Sequence, residues 1–137
     1  MPNTEPKRKQ VHVAVGVVHR DGHILLAKRA EHQHQGGLWE FPGGKVELGE
    51  GAEQALTREL NEELAIVPTR TAPLMEVCHD YSDKSVRLTV SLVLEFDGEP
   101  FGVEGQPTAW VPVATLTDYE FPEANRPIVE RLLAYVW

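Results

Sequence analysis

Hydrophobic and polar positions divide the chain into short segments of changing period. Val11–Val18 alternates loosely and is rich in valine, which predicts a strand. Arg20-Asp21-Gly22-His23 places Asp-Gly at the centre of a turn, and Ile24–Ala27 is the expected return strand. Glu31–Gly37 reads as a polar loop, and Leu38–Phe41 as a short strand that runs into a sharp bend at Pro42-Gly43-Gly44. Glu50–Ala65 changes to a helical period, with Ala52, Ala55, Leu56, Leu60 and Leu64 on one face and Pro68 helping to stop it. Leu74–Tyr81 and Val86–Phe96 predict a hairpin around Ser82–Ser85. A Gly/Pro-rich loop follows over Asp97–Pro107, then a short strand at Thr108–Val113. The chain closes on an amphipathic helix with Ile128, Val129, Leu132 and Leu133 inside. Strands and helices are interleaved without repeat, long linker or low-complexity tract. This predicts an α+β fold, an α/β/α layered domain around a mixed sheet.

Length fits one domain: 137 residues can bury a single sizeable core. We expect residues 1–10 to form a flexible, polar and basic N-terminus and residues 11–137 to form the domain. Hydrophobic residues at 42% and charged residues at 25% are an ordinary balance for a soluble protein. No apolar run is long enough for a membrane span, no secretory leader pattern is seen, and Cys78 is alone; together these predict a cytoplasmic protein. The net charge of −8 argues against a broad basic surface for duplex DNA, but leaves room for a nucleotide bridged by cations. Six of the 21 acidic residues lie between Glu47 and Glu63. On charge alone, such a cluster reads as a solvated helix face.

Spacing changes that reading. Glu59, Glu62 and Glu63 stand at i, i+3 and i+4 and share one helix face. Like-charge pairs at these offsets cost about 0.2–0.5 kcal/mol each. Arg58 can pair with Glu62 but cannot neutralise all three. Either the face is fully solvated or a cation relieves the repulsion, and hard divalent cations take oxygen ligands. The opposite, apolar face would hold the helix as a rigid platform. The preceding Phe41-Pro42-Gly43-Gly44-Lys45 lets backbone approach a ligand closely, although Gly-Gly alone marks no more than a turn.

Gly44, Glu50 and Arg58-Glu59-Leu60-Asn61-Glu62-Glu63-Leu64-Ala65-Ile66 resemble the Nudix box, Gly-x5-Glu-x7-Arg-Glu-U-x-Glu-Glu-x-Gly-U, where U is a bulky aliphatic residue. One defined position departs: Ala65 stands where the family has glycine, at a helix end that often needs positive φ. The resemblance implies a Mg²⁺-dependent hydrolase of nucleoside diphosphates linked to a further group, with Mn²⁺ able to substitute. It implies Glu59, Glu62 and Glu63 as metal ligands, the Gly43 carbonyl as a further ligand, and Arg58 as the residue that orients the carboxylates, paired with Glu50 or a neighbour. Glu59 and Glu104 both stand as candidate general bases.

Beyond the box, three stretches resemble the MutT-type branch of the family. They are Leu38–Lys45, Gly98–Pro107 with Glu104 at a liganding position, and Phe121–Pro127 with Asn125 as a purine-reading amide. The branch implies hydrolysis of 8-oxo-dGTP or 8-oxo-GTP to monophosphate and pyrophosphate. Arg29, Phe41, Gly44 and Lys45 join Asn125 as expected substrate contacts. Each has a plainer alternative: Asn125 as a helix cap, Glu104 and Arg29 as solvated side chains, Trp39 and Trp110 as packing residues. His32 and His34 read as exposed, and Tyr81 and Lys84 as hairpin-tip residues close to the base pocket or simply exposed. Two competing functions stay open: a CTP-type pyrimidine pyrophosphohydrolase, and a non-catalytic Nudix-fold nucleotide-binding module. The expected partner is a nucleoside triphosphate, without stable nucleic-acid or membrane binding, and a monomer is favoured.

Overall fold

The computed structural model describes residues 9–30 and 36–137. The expected loop over Glu31–Gly37, with His32 and His34, falls largely on 31–35, outside the described residues, as do residues 1–8 of the expected N-terminal end. Seven strands form the sheet: β1 (Lys9–Arg20), β2 (His23–Lys28), β3 (Trp39–Glu40), β4 (Gly43–Lys45), β5 (Val67–Asp80), β6 (Lys84–Asp97) and β7 (Thr108–Pro112). The helices are α1 (Ala52–Leu64) and α2 (Arg126–Ala134).

The long strand β1 organises the sheet. Its first ten residues run parallel to β6 from Lys9↔Lys84 to Val18↔Val93, so Lys9 and Gln10 are strand residues. Val13–Val15 also pair antiparallel with Gly43–Lys45. At its other end β1 turns through Asp21 and Gly22, both at positive φ (50° and 76°), into β2. Such a two-residue turn matches the twist of a hairpin. β2 in turn pairs with β3 and β7. The sheet is therefore mixed, as the sequence predicts.

Alternation along β1 sends side chains to two cores. Ala14 and Val18 join Leu25, Val93 and the α1 residues Ala55, Leu56, Leu60 and Leu64. Val15 and Val17 join Ile24, Leu26, Leu88, Val90 and the α2 residues Ile128, Val129 and Leu132. One helix covers each face, which gives the expected three layers.

Four local expectations change. Gly43–Lys45 is not just a bend but a strand that pairs with β1. β5 starts at Val67 rather than Leu74; Pro68 lies inside it, beside a register irregularity that spares the sheet its missing N–H. Pro68 therefore does not end α1, which closes on Ala65 in the left-handed region (φ 58°, ψ 33°) with its N–H bonded back to Asn61 and Leu60 carbonyls. Leu133, expected inside, is exposed, because α2 is only nine residues long and buries Ile128, Val129 and Leu132.

Candidate active site

The loop before α1 and the helix itself are joined through one guanidinium. Arg58 donates Nε–H and Nη2–H to the two oxygens of Glu50 at 2.8 and 3.0 Å. Its Nη1 reaches Glu59 at 2.9 Å and, more loosely, Glu62 at 3.4 Å. Nη2 also donates to the Lys45 carbonyl at 3.0 Å. Five donors in a planar fork allow one arginine to tie a loop carboxylate, a helix carboxylate and a backbone carbonyl together. The expected pairing with Glu50 is the main one, and the alternative with Glu62 is secondary. Arg58 and the Glu47 N–H together hold the Glu50 carboxyl down at about 2, while the Arg58 guanidinium is raised above its usual range.

β4 lies against this cluster without intervening side chains. A Cβ on Gly44 would stand 2.2 Å from the Glu59 carboxyl carbon, and one on Gly43 would stand 2.0 Å from the Ala14 carbonyl oxygen. Both glycines thus serve close approach, one to a carboxylate and the other to the neighbouring strand.

Glu63, one turn further along α1, faces inward. Burial is the first cause that pushes its carboxyl up to about 8; the charges of Glu59, Glu40 and Glu104 and a hydrogen bond with Glu59 add to it. Glu104 is exposed on the loop after β6, yet near enough to contribute to that field. Glu62 is the outlying acid, with its side chain 60% exposed. Among the described residues, no three His, Cys, Asp or Glu side chains are already gathered around one point. What the arrangement does contain is a half-buried carboxylate pair, Glu59 and Glu63, facing further carboxylates and a glycine backbone. Such an oxygen-only set with excess negative charge fits a hard divalent cation.

Glu63 also opens onto a cleft of about 340 Å³. The cleft brings together Arg29, Phe41, Gly43, Gly44, Lys45 and Asn125, drawn from three parts of the chain. Tyr81 and Lys84, from the β5–β6 turn, line it as well. Phe41 is buried and stacks on Phe121 at 5.3 Å, which fixes the floor beside Asn125. Asn125 occupies the N-cap position of α2, but its side chain makes no capping hydrogen bond. The capping alternative is therefore not realised, and the amide lines the cleft instead. Trp39 and Trp110 pack edge-on to Tyr119 and under Arg20, as expected of packing residues.

Sequence reasoning missed Glu40. It lines the cleft and forms an ion pair with Arg29 at 2.5 Å, and burial raises its carboxyl despite that partner. The available signal was a carboxylate set between Trp39 and Phe41, apolar neighbours that imply desolvation. The apolar wall from Val11, Val13, Val15, Val86 and Leu88 was also missed, since it depends on β1 pairing with β6.

The family model described as the NUDIX domain matches residues 13–131. The chain belongs to the Nudix family. It is 38% identical over 125 residues to the 8-oxo-dGTP diphosphatase of Escherichia coli K12, covering 90% of this chain and 97% of that one. The CTP pyrophosphohydrolase of the same organism is 36% identical over 126 residues, with 92% and 93% covered. A solved MutT structure, from work on the Aliivibrio salmonicida and Vibrio cholerae proteins, superimposes with a TM-score of 0.80 at 42% identity, covering 92% of this chain and 98% of that one. The family requires a divalent cation. No described helix is long and apolar enough to cross a membrane.

Proposed function

We propose that this Nudix protein hydrolyses 8-oxo-dGTP to the monophosphate and pyrophosphate, with Mg²⁺ as its cation and nucleotide-pool sanitation as its role. The observation that carries the reading is one cleft lined by two chemically distinct sets of groups: Glu63 with the Gly43-Gly44 backbone, and Asn125 with Phe41 and the apolar strand residues. The diphosphatase named above supports the purine substrate, since it matches almost end to end.

Bound Mg²⁺ would neutralise the polyphosphate and acidify an attacking water. Glu59, Glu62, Glu63, Glu104 and the Gly43 carbonyl are the groups to hold it. The chain's own contribution is positional. Arg58 fixes Glu59 and Glu50, so the carboxylates do not splay when charge accumulates between them. Apolar burial of Leu56, Leu60 and Leu64 holds their helix still. Lys45, exposed at the cleft edge, supplies positive charge for phosphate oxygens. Glu59 and Glu104 remain the two candidates for the base.

At the far end, the Asn125 amide offers both a donor and an acceptor to a guanine edge. Phe41 presents an apolar wall to the base, and Glu40 holds Arg29 at the rim. The protein is read as a cytoplasmic monomer that binds a free nucleotide rather than a nucleic acid. CTP hydrolysis is the second reading, carried by the 36% match to a CTP pyrophosphohydrolase. The test is product analysis in ¹⁸O-labelled water with 8-oxo-dGTP, dGTP and CTP side by side. The expected result is pyrophosphate release, fastest from 8-oxo-dGTP. Faster turnover of CTP would transfer the assignment to the pyrimidine, and no turnover of any nucleotide would leave a binding module.

A further inference from the structure

The loop that carries Glu104 is attached to the end of α1 by a small set of hydrogen bonds. The Val103 N–H donates to the Glu63 carbonyl at 3.0 Å, and the Phe101 N–H to the Leu64 carbonyl at 3.2 Å. These carbonyls lie in the last turn, where the helix itself supplies no partner. The third link is a side chain. Gln106 donates Nε2–H to the same Glu63 carbonyl at 3.1 Å, and its Oε1 accepts the Glu104 N–H at 3.0 Å.

One primary amide therefore bridges the backbones of Glu63 and Glu104. Only one orientation of the amide serves both, because the Glu104 N–H can only donate and the Glu63 carbonyl can only accept. Glutamate at 106 would set oxygen against oxygen, and asparagine would be one methylene short. Two further anchors hold the loop on either side: Arg20 binds Glu99 with bonds of 2.8 and 3.0 Å, five residues before Glu104, and the Lys28 N–H donates to the Pro107 carbonyl at 3.0 Å. Glu104 itself is exposed.

We propose that Gln106 is a positioning residue which sets Glu104 against the Glu63 end of α1, so that both carboxylates meet one divalent cation. This rests on the reading of Glu63 and Glu104 as cation-holding groups. The test measures Mn²⁺ binding to the nucleotide-free protein by electron paramagnetic resonance of the free ion, in wild type, Q106A, E104Q and the double variant. Q106M, close in volume to glutamine but without its polar atoms, replaces Q106A if the latter does not fold.

The expected result is about tenfold weaker Mn²⁺ binding in Q106A, the scale usual for an outer partner of a metal ligand. A comparable loss is expected in E104Q, with no further loss in the double variant. The cation concentration for half-maximal turnover should rise with it, while KM for nucleotide at saturating cation stays within about twofold. Wild-type Mn²⁺ affinity in Q106A beside a weakened E104Q would overturn the role of Gln106 alone. So would losses that multiply in the double variant, since Gln106 would then act independently of Glu104. If E104Q itself binds Mn²⁺ normally, the assignment of Glu104 as a ligand fails first and the proposal with it.

Discussion

The two ends of the cleft are built in opposite ways. At the acid end, Gly44, Glu50, Arg58, Glu59 and Glu63 lie within a stretch of twenty residues, and a single arginine joins loop to helix. At the end we propose for the base, Arg29, Glu40, Phe41, Tyr81, Lys84 and Asn125 arrive from separate elements and are brought to one cleft by the fold. Charge and spacing hold the first end together; packing assembles the second. The chemistry can therefore stay fixed while the selectivity drifts, which fits the match to both a purine and a pyrimidine nucleotide hydrolase.

Removing the half-buried Glu63 carboxyl should have the largest effect and should strike the acid end alone. Glu63→Gln is expected to lower kcat by about a thousandfold, equivalent to about 4 kcal/mol, on every nucleotide tested. Steady-state kinetics at saturating Mg²⁺ check this, with circular dichroism to confirm that the fold persists. Arg58→Ala comes next, at about 10–100-fold in activity or metal affinity, because it frees Glu59 without removing it. Arg58→Lys should not restore the loss, since an ammonium cannot reproduce the bidentate grip on Glu50 together with the bond to Glu59. A lysine variant with wild-type kinetics would show that charge alone suffices.

At the base end, Asn125→Ala should cost about tenfold on the preferred purine and little on CTP, the size of one or two hydrogen bonds. Equal losses on all bases would reduce Asn125 to a structural role.

The acid end also makes a prediction about pH. Glu63 titrates near 8 in the cation-free protein and in the ordinary carboxylate range when unfolded. Between those values the folded state binds more protons, so stability falls as pH rises from about 5 to about 8. Thermal unfolding of the cation-free protein should track this decline. Glu63→Gln should remove most of it, and a Glu63→Gln chain with the full wild-type slope would locate the titration elsewhere.

The smallest effect concerns the helix end. Ala65→Gly should raise stability by about 1 kcal/mol, because alanine is held at φ 58°. Denaturant melts would register this shift while the kinetics stay unchanged.

How much of this was legible in the sequence follows the same division. The helix, its apolar face and the positive φ at Ala65 could be read because each depends on neighbours within a few turns. The pairing of Arg58 with Glu50, eight residues apart, came from the resemblance to the Nudix box, since spacing alone set Arg58 against Glu62. Glu40 was not found, because its significance is burial beside Arg29, and burial at that point depends on strands from elsewhere. β4 escaped notice since three residues containing two glycines carry no strand period; their pairing is dictated by the space they leave for Ala14 and Glu59. Leu133 misled because periodicity cannot say where a short helix loses contact with the sheet. Asn125 could not be divided between cap and contact until its side chain was seen to make no cap.

The most direct test of a fixed chemical end and a separable selective end is a matrix of kcat/KM values. Wild type, Glu63→Gln and Asn125→Ala would each be measured on 8-oxo-dGTP, dGTP and CTP at saturating Mg²⁺. Glu63→Gln should lower all three by a common factor, so that their ratios hold. Asn125→Ala should lower the purines and compress the ratio of 8-oxo-dGTP to CTP by about tenfold. Changed ratios in Glu63→Gln, or preserved ratios in Asn125→Ala, would contradict that separation.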